Sequence, residues 1–219
     1  MKNLILIAVG IIVLSIFSCG DDTASPKSNP KVSFINAVTG LSLPQFVTAQ
    51  IKDSATFYNR VAFGSASTPK ELTIGSYPMT FLDGTNKNLF STNYNFNGDK
   101  NIAIILCNTA STPEFLSVES SIKTSTDTTG TVRFVNLIAN SSINIKLNGT
   151  SLSTTSFKGF TQAIDLDPNV GHTVEISSTS LPIPITIPNY RVGKGKYLLA
   201  FLTGSVTGTP APSINTLVF

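Results

Sequence analysis

The residues able to do chemistry in this 219-residue chain are few and scattered. There are two cysteines, Cys19 and Cys107, and one histidine, His172. A Ser-His-Asp triad needs nucleophile, base and orienter within hydrogen-bond reach. Asp165 and Asp167 precede His172 and serines are abundant, so composition alone permits one. No Gly-x-Ser-x-Gly elbow supports it, and His172 follows the turn Asn169-Val-Gly171 as a solvated loop histidine would. The segment Asp165-Leu-Asp167-Pro-Asn169 sets oxygen ligands at alternate positions, as a calcium loop does. Val170 stands where that loop needs glycine, and Ile176 where it needs a bidentate Glu, with Glu175 one place early. The segment reads instead as a turn held by Asp and Asn side chains. Zinc and iron–sulfur sites need clustered Cys or His, which this chain lacks. The expectation is no catalytic residue, no metal site and no cofactor.

Cys19 differs because of what precedes it. Lys2 gives a short positive start, and Leu4 to Phe17 is apolar and uncharged. That stretch is shorter than the roughly 20 residues a spanning helix needs, and suits a secretory signal. Its end, Ser15-Ile-Phe-Ser18-Cys19, resembles the lipobox of bacterial lipoproteins, with bulky Phe17 where a small residue is usual. The resemblance implies diacylglycerol on the Cys19 thiol and cleavage just before it. Residues 1–18 are then the signal peptide, and residues 19–30, polar and with two prolines, a flexible tether. The partner this implies is a membrane, held through the lipid: each buried CH₂ contributes roughly 0.8 kcal/mol, so two or three chains hold permanently. Asp21-Asp22 resembles the export signals of surface lipoproteins in some Gram-negative groups; the alternative is a solvated linker facing the periplasm. With Cys19 acylated, Cys107 has no disulfide partner. It ends the apolar run Ile102-Ala-Ile-Ile-Leu-Cys107 and reads as a buried thiol.

Only 12% of residues are charged, against roughly 25% in ordinary globular chains. The hydrophobic share is 41%, enough for a core. The net charge is +3, with no basic cluster, so the footprint of a nucleic-acid binder is missing.

The elements that must position any site repeat. Val32-Ser-Phe34-Ile-Asn36 returns as Val132-Arg-Phe134-Val-Asn136. Phe63-Gly64 matches Phe160-Thr161, and Leu72 then Gly75 match Leu166 then Gly171. The run 101–106 matches 196–202, each following a glycine turn. The polar stretch 123–130 lies between the copies as a linker, dividing the chain into residues 31–122 and 131–219. Ile143-Asn-Ile145-Lys-Leu147 alternates as a half-buried strand, and Asn148-Gly149 is a strong hairpin turn. Ile183-Pro-Ile185-Thr-Ile187-Pro alternates too, but its prolines confine it to a sheet edge. Phe90, Thr92, Tyr94 and Phe96 share one face, and the continuous runs at 102–106 and 197–202 suit central strands covered on both sides. Phe57-Tyr58 and Tyr190-Arg191 are candidate glycan contacts, but strand alternation puts one member of each pair in the core.

Val132-Arg-Phe-Val-Asn136 followed by Ile143-Asn-Ile-Lys-Leu-Asn-Gly149 resembles the opening of domain-of-unknown-function family 4397 (DUF4397). Phe160, Leu166, Gly171 and the run 196–202 sit where its later features belong, and the first copy carries the pattern more weakly. The resemblance implies an all-β chain of two tandem Ig-like antiparallel β-sandwich domains, and no known catalytic residues. The function expected is a non-enzymatic cell-envelope lipoprotein, anchored in the outer membrane. It presents its modules for binding, adhesion or structural roles toward an envelope protein or a glycan. The alternative is a carbohydrate-binding component of an outer-membrane uptake system.

Overall fold

The computed structural model describes residues 27–41, 45–51, 56–124, 126–179, 184–206 and 209–219. Cys19, the segments 1–18 and 19–26, and Leu181 to Ile183 lie outside these described residues.

Every regular element described is a strand, as the alternating patterns require. In the first half, one sheet holds β1 (Lys31–Thr39), β4 (Ser65–Ala66), β5 (Lys70–Glu71), β8 (Lys100–Thr109) and β9 (Thr112–Ser121). Its order is β4-β1-β8-β9, with β5 also on β1. The other sheet runs β3 (Thr56–Ala62), β2 (Phe46–Ile51), β6 (Gly75–Asp83), β7 (Asn88–Phe96). The second half repeats this. One sheet is β13 (Ile164–Leu166), β10 (Gly130–Asn136), β16 (Tyr197–Thr203), β17 (Ser213–Val218). Its partner is β12 (Thr150–Ser156), β11 (Ser142–Leu147), β14 (His172–Ser177), β15 (Ile185–Tyr190).

Local signals act as expected. Asn148 and Gly149 turn β11 into β12 with φ of 51° and 78°, the paired positive φ of a tight hairpin. The proline-bearing β15 is an edge strand. Tyr58 and Tyr190 are buried while Arg191 is exposed, which is strand alternation at work.

The sheets are not wholly antiparallel. β1 pairs with β8 in parallel, and β10 with β16 likewise. Between β1 and β8 the chain crosses to the facing sheet and returns, so it re-enters in the direction in which it left. The repeat register also needs one correction. Asn36 O accepts from Gly64 N–H, and Asn136 O from Lys158 N–H, both at 2.8 Å. Ser67 and Thr161 hydroxyls accept from Phe34 and Phe134 N–H, at 2.8 and 3.1 Å. Phe63-Gly64 therefore corresponds to Phe157-Lys158, not to Phe160-Thr161. Phe160 instead bridges Val135, as Ala66 pairs with Ile35. Aromatic type suggested the wrong match; backbone hydrogen bonding sets the right one.

Three buried cores stack in sequence. Phe34, Phe81, Phe96, Ile102 and Ile104 fill the first sandwich. Phe134, Ile143, Ile145, Val174 and Ala200 fill the second. The third lies between the halves, where Ile35, Ala103, Ile105 and Cys107 meet Val135, Leu199, Phe201 and Leu217. These are the alternate residues of the same strands. β8 and β16 read as unbroken apolar runs because both faces are covered, one by their own sandwich and one by the other half. The four sheets thus form one continuous stack. β9 lies over the β10–β13 side, where Lys158 pairs with Glu114 and Arg133 reaches Glu119. Gly64, preceding β4, lies over the β16–β17 side, beside Thr203 and Asn215. The hydrogen bond from Lys158 is the largest cause holding the Glu114 carboxyl below its usual range.

Cys107 is fully buried in this shared core, and burial pushes its thiol pKa up to about 12. A maleimide reagent should leave Cys107 unmodified in the native protein and modify it quantitatively in denaturant. Rapid native labelling would mean that the seam between the halves opens freely.

The repeated motif also has a structural use. Asn36 and Asn136 are fully buried, Asn36 in the second half of β1 and Asn136 at the end of β10. Asn36 Nδ2 donates to Val61 O at 2.9 Å, and its Oδ1 accepts from Val38 N–H at 3.1 Å. Asn136 Nδ2 donates to the Ser141 and Thr155 carbonyls at 3.1 and 3.2 Å, and its Oδ1 accepts from Ile138 N–H at 3.0 Å. Each amide ties its first strand to the facing side of the sandwich and satisfies buried backbone groups there.

Candidate functional site

The seam is apolar along most of its length and polar at one end. Alternation along β1 and β10 places Ser33 and Arg133 at matching positions of the repeat, facing the seam. Along β8 and β16 the matching positions are Asn101 and Tyr197. Ser120 on β9 pairs with Asn101. All five carry a buried polar atom without a hydrogen-bond partner among the described residues: Ser33 Oγ, Asn101 Oδ1, Ser120 Oγ, Arg133 Nε and Tyr197 OH. Buried polar groups are nearly always paired, and each unpaired one costs about 1–3 kcal/mol. Four more such atoms among the described residues, on Ser153, Thr155, His172 and Tyr190, are spread through the second half, whereas these five gather at one end of one interface.

A cleft of about 380 Å³ opens there, between the two halves. Ser120 and Lys100 line it from the first half, and Thr131, Arg133, Asp165 and Tyr197 from the second. Arg133 Nη1 donates to Glu119 O at 3.4 Å, and its guanidinium lies 5.1 Å from the Phe160 ring centre. Phe160 is one of the few large apolar side chains left exposed, at 47%. Tyr197 is only 4% exposed. Burial raises its phenol pKa, partly offset by Arg133, so the hydroxyl remains a donor. The two carboxylates at the cleft are engaged. Glu119 accepts from Tyr94 OH at 2.8 Å. Asp165 accepts from Thr131 Oγ1, which most strongly lowers its pKa, and pairs with Lys123 at 3.4 Å.

The residues singled out from sequence fall elsewhere, apart from Asp165. His172 opens β14, and its Nδ1 meets Asn148 Nδ2 at 3.0 Å. Asn148 Oδ1 accepts from Thr173 N–H, which fixes that amide and makes Nδ1 the acceptor. The partner of this imidazole is therefore an amide, and no triad forms around that bond. Asp167 accepts from Asn169 N–H at 2.9 Å and closes a turn, away from the bonds of Asp165. Among the described residues no group of three or more His, Cys, Asp or Glu could hold a metal. Phe57 is half-buried, with Lys70 Nζ 5.4 Å from its ring centre. Arg191 donates to Asn169 O at 3.0 Å.

Sequence reasoning missed Arg133 and Tyr197 as site residues. One signal was present. Arg133 is the single charge within the otherwise apolar strand Val132-Arg-Phe-Val135, where an unpaired cation is expensive.

Comparison with known proteins gives a family and a set of remote structural likenesses. No curated protein matches the chain. A carbohydrate-binding module of family CBM26 from Eubacterium rectale Amy13K, crystallised with maltoheptaose, aligns at 13% identity and a TM-score of 0.30, covering 84% of this chain and 96% of that one. A candidate cell adhesion protein from Bacteroides uniformis aligns at 8% identity and a TM-score of 0.24, covering 90% and 98%. Another from Bacteroides ovatus aligns at 8% and 0.24, covering 88% and 97%. These scores are too low to carry an argument about function. The family match spans residues 30–146: all of the first copy and the first strands of the second, although the sequence pattern was plainer in the second. It covers more than half of the chain, and the chain belongs to the family described as Domain of unknown function (DUF4397).

Proposed function

We propose that this protein is a non-enzymatic lipoprotein of the bacterial cell envelope that presents its two β-sandwiches as one rigid unit for binding. Cys19 is its anchor, the outer membrane its location, and the seam cleft its ligand contact. The observation that carries the reading is that Ser120, Arg133 and Tyr197, each with a buried polar atom unpaired among the described residues, line that cleft together. Its volume lies within the range of small-molecule sites, roughly 300–1,000 Å³. His172 bonded to an amide supports a binding role over a hydrolytic one. A polar, hydrogen-bonding lining also favours a second reading, a carbohydrate-binding component of an uptake system.

Anchoring is tested by labelling cells with radioactive palmitate and fractionating them. The wild type should be acylated and enter the membrane fraction. Cys19→Ser should lose the label and leave that fraction, while both halves still fold. A Cys19→Ser protein that remains in the membrane overturns the anchor. Protease treatment of intact cells separates a surface position from a periplasmic one.

A further inference from the structure

Resting on the binding reading above, we infer that the seam cleft is an oxyanion site. It takes a carboxylate or sulfate carried by a small polar ligand such as an acidic sugar, with Arg133 as its anchor. Arg133 is held on β10 between the fully buried Val132 and Phe134, on the strand face that meets the seam, and is itself half-buried. Among the described residues Nε is buried and unpartnered, and Nη1 makes a long hydrogen bond to a backbone carbonyl. Both neighbouring carboxylates are committed, Glu119 to Tyr94 and Asp165 to Thr131 and Lys123. A half-buried cation with one buried nitrogen favours a counter-charge close by, and the described residues supply none to Nε.

The groups beside it suit the same ligand. Tyr197 OH and Ser120 Oγ are unpartnered and line the cleft, and both can donate. Lys100 lines it too and makes no ion pair among the described residues. An arginine fork with added hydroxyl donors fits a planar carboxylate or a sulfate. A neutral sugar would satisfy the hydroxyls but leave the charge uncompensated. A cationic ligand would add to it.

The test is titration of the full chain by calorimetry with galacturonate, galactose and sodium sulfate, with circular dichroism to confirm folding. Galacturonate should bind saturably, and sulfate should compete with it if the oxyanion alone is recognised. Sulfate binding without galacturonate binding supports a sulfated source over a carboxylated one. Galactose should bind at least about ten-fold more weakly than galacturonate. Arg133→Gln should weaken binding by about ten-fold or more, and Tyr197→Phe by less. Arg133→Lys should recover part of the loss, which a merely structural role would not do. Equal binding of galactose overturns the oxyanion reading. So does affinity unchanged in folded Arg133→Gln, or no saturable binding by either anion. Such a failure leaves the wider binding reading intact if the folded protein still captures another envelope glycan, and the palmitate experiment is independent of both.

Discussion

Replacing Phe201 by alanine is expected to destabilise both halves of the protein together, by about 3–5 kcal/mol. Phe201 is fully buried, yet its ring belongs to neither sandwich's own core. It lies in the seam with Ile35, Ile105 and Leu217. Truncation removes apolar surface and leaves a cavity between two sheets that their own hydrogen-bonded ladders hold in shape, so little collapse can refill it. Two sandwiches joined only by residues 123–130 would confine the damage to the second half. A shared core makes it common property. Denaturant unfolding followed by hydrogen exchange should show protection lost in β8 of the first half as well as in β16. Loss restricted to β10–β17 would mean that the seam contributes little to stability.

Asn136→Asp should be nearly as damaging, by about 3–5 kcal/mol at neutral pH. The substitution is almost isosteric, so packing is unchanged and the effect is electrical. Asn136 Nδ2 donates to the Ser141 and Thr155 carbonyls. A carboxylate there would face both oxygens with no proton to offer, in a position with no exposure. Burial raises the pKa of the introduced acid in the folded state above its unfolded value. The sign follows directly: the variant is least stable well above the folded pKa and recovers stability as pH falls and the acid is protonated. Thermal midpoints measured from neutral to acid pH should narrow the gap to wild type. A constant gap would mean that the amide's donors are not what matters. Asn36→Asp should behave alike, since Asn36 makes the corresponding bonds around Val61 and Val38.

Much of the fold is legible in the residue order. Alternation in Ile143–Leu147, the Asn148-Gly149 turn, and prolines around Ile185 and Ile187 are local signals, and local backbone chemistry decides them. The recurrence of Val-x-Phe-x-Asn marked the repeat, and burial of each Asn explains why an amide sits in an apolar motif. Parallel pairing of β1 with β8 was not legible, because strand direction depends on where the chain crosses between sheets. The match of Phe63 to Phe160 failed for a related reason: side-chain type is a weaker guide than the partner of a backbone amide.

The candidate site divides the same way. Residue order by itself determined strands, turns, the repeat, the scarcity of catalytic groups, and unbroken apolar runs needing cover on both faces. It placed a cation, Arg133, in an apolar strand, a signal that went unread, and could not say what that cation faces. Only the tertiary structure decided that the two halves cover each other, because hydrophobic burial is non-directional and any apolar face would have served. That stacking brings Ser120 from one half against Arg133 and Tyr197 from the other and leaves their polar atoms unpaired. A site made at a seam between sheets is written in no single segment, since each segment holds only one wall of it.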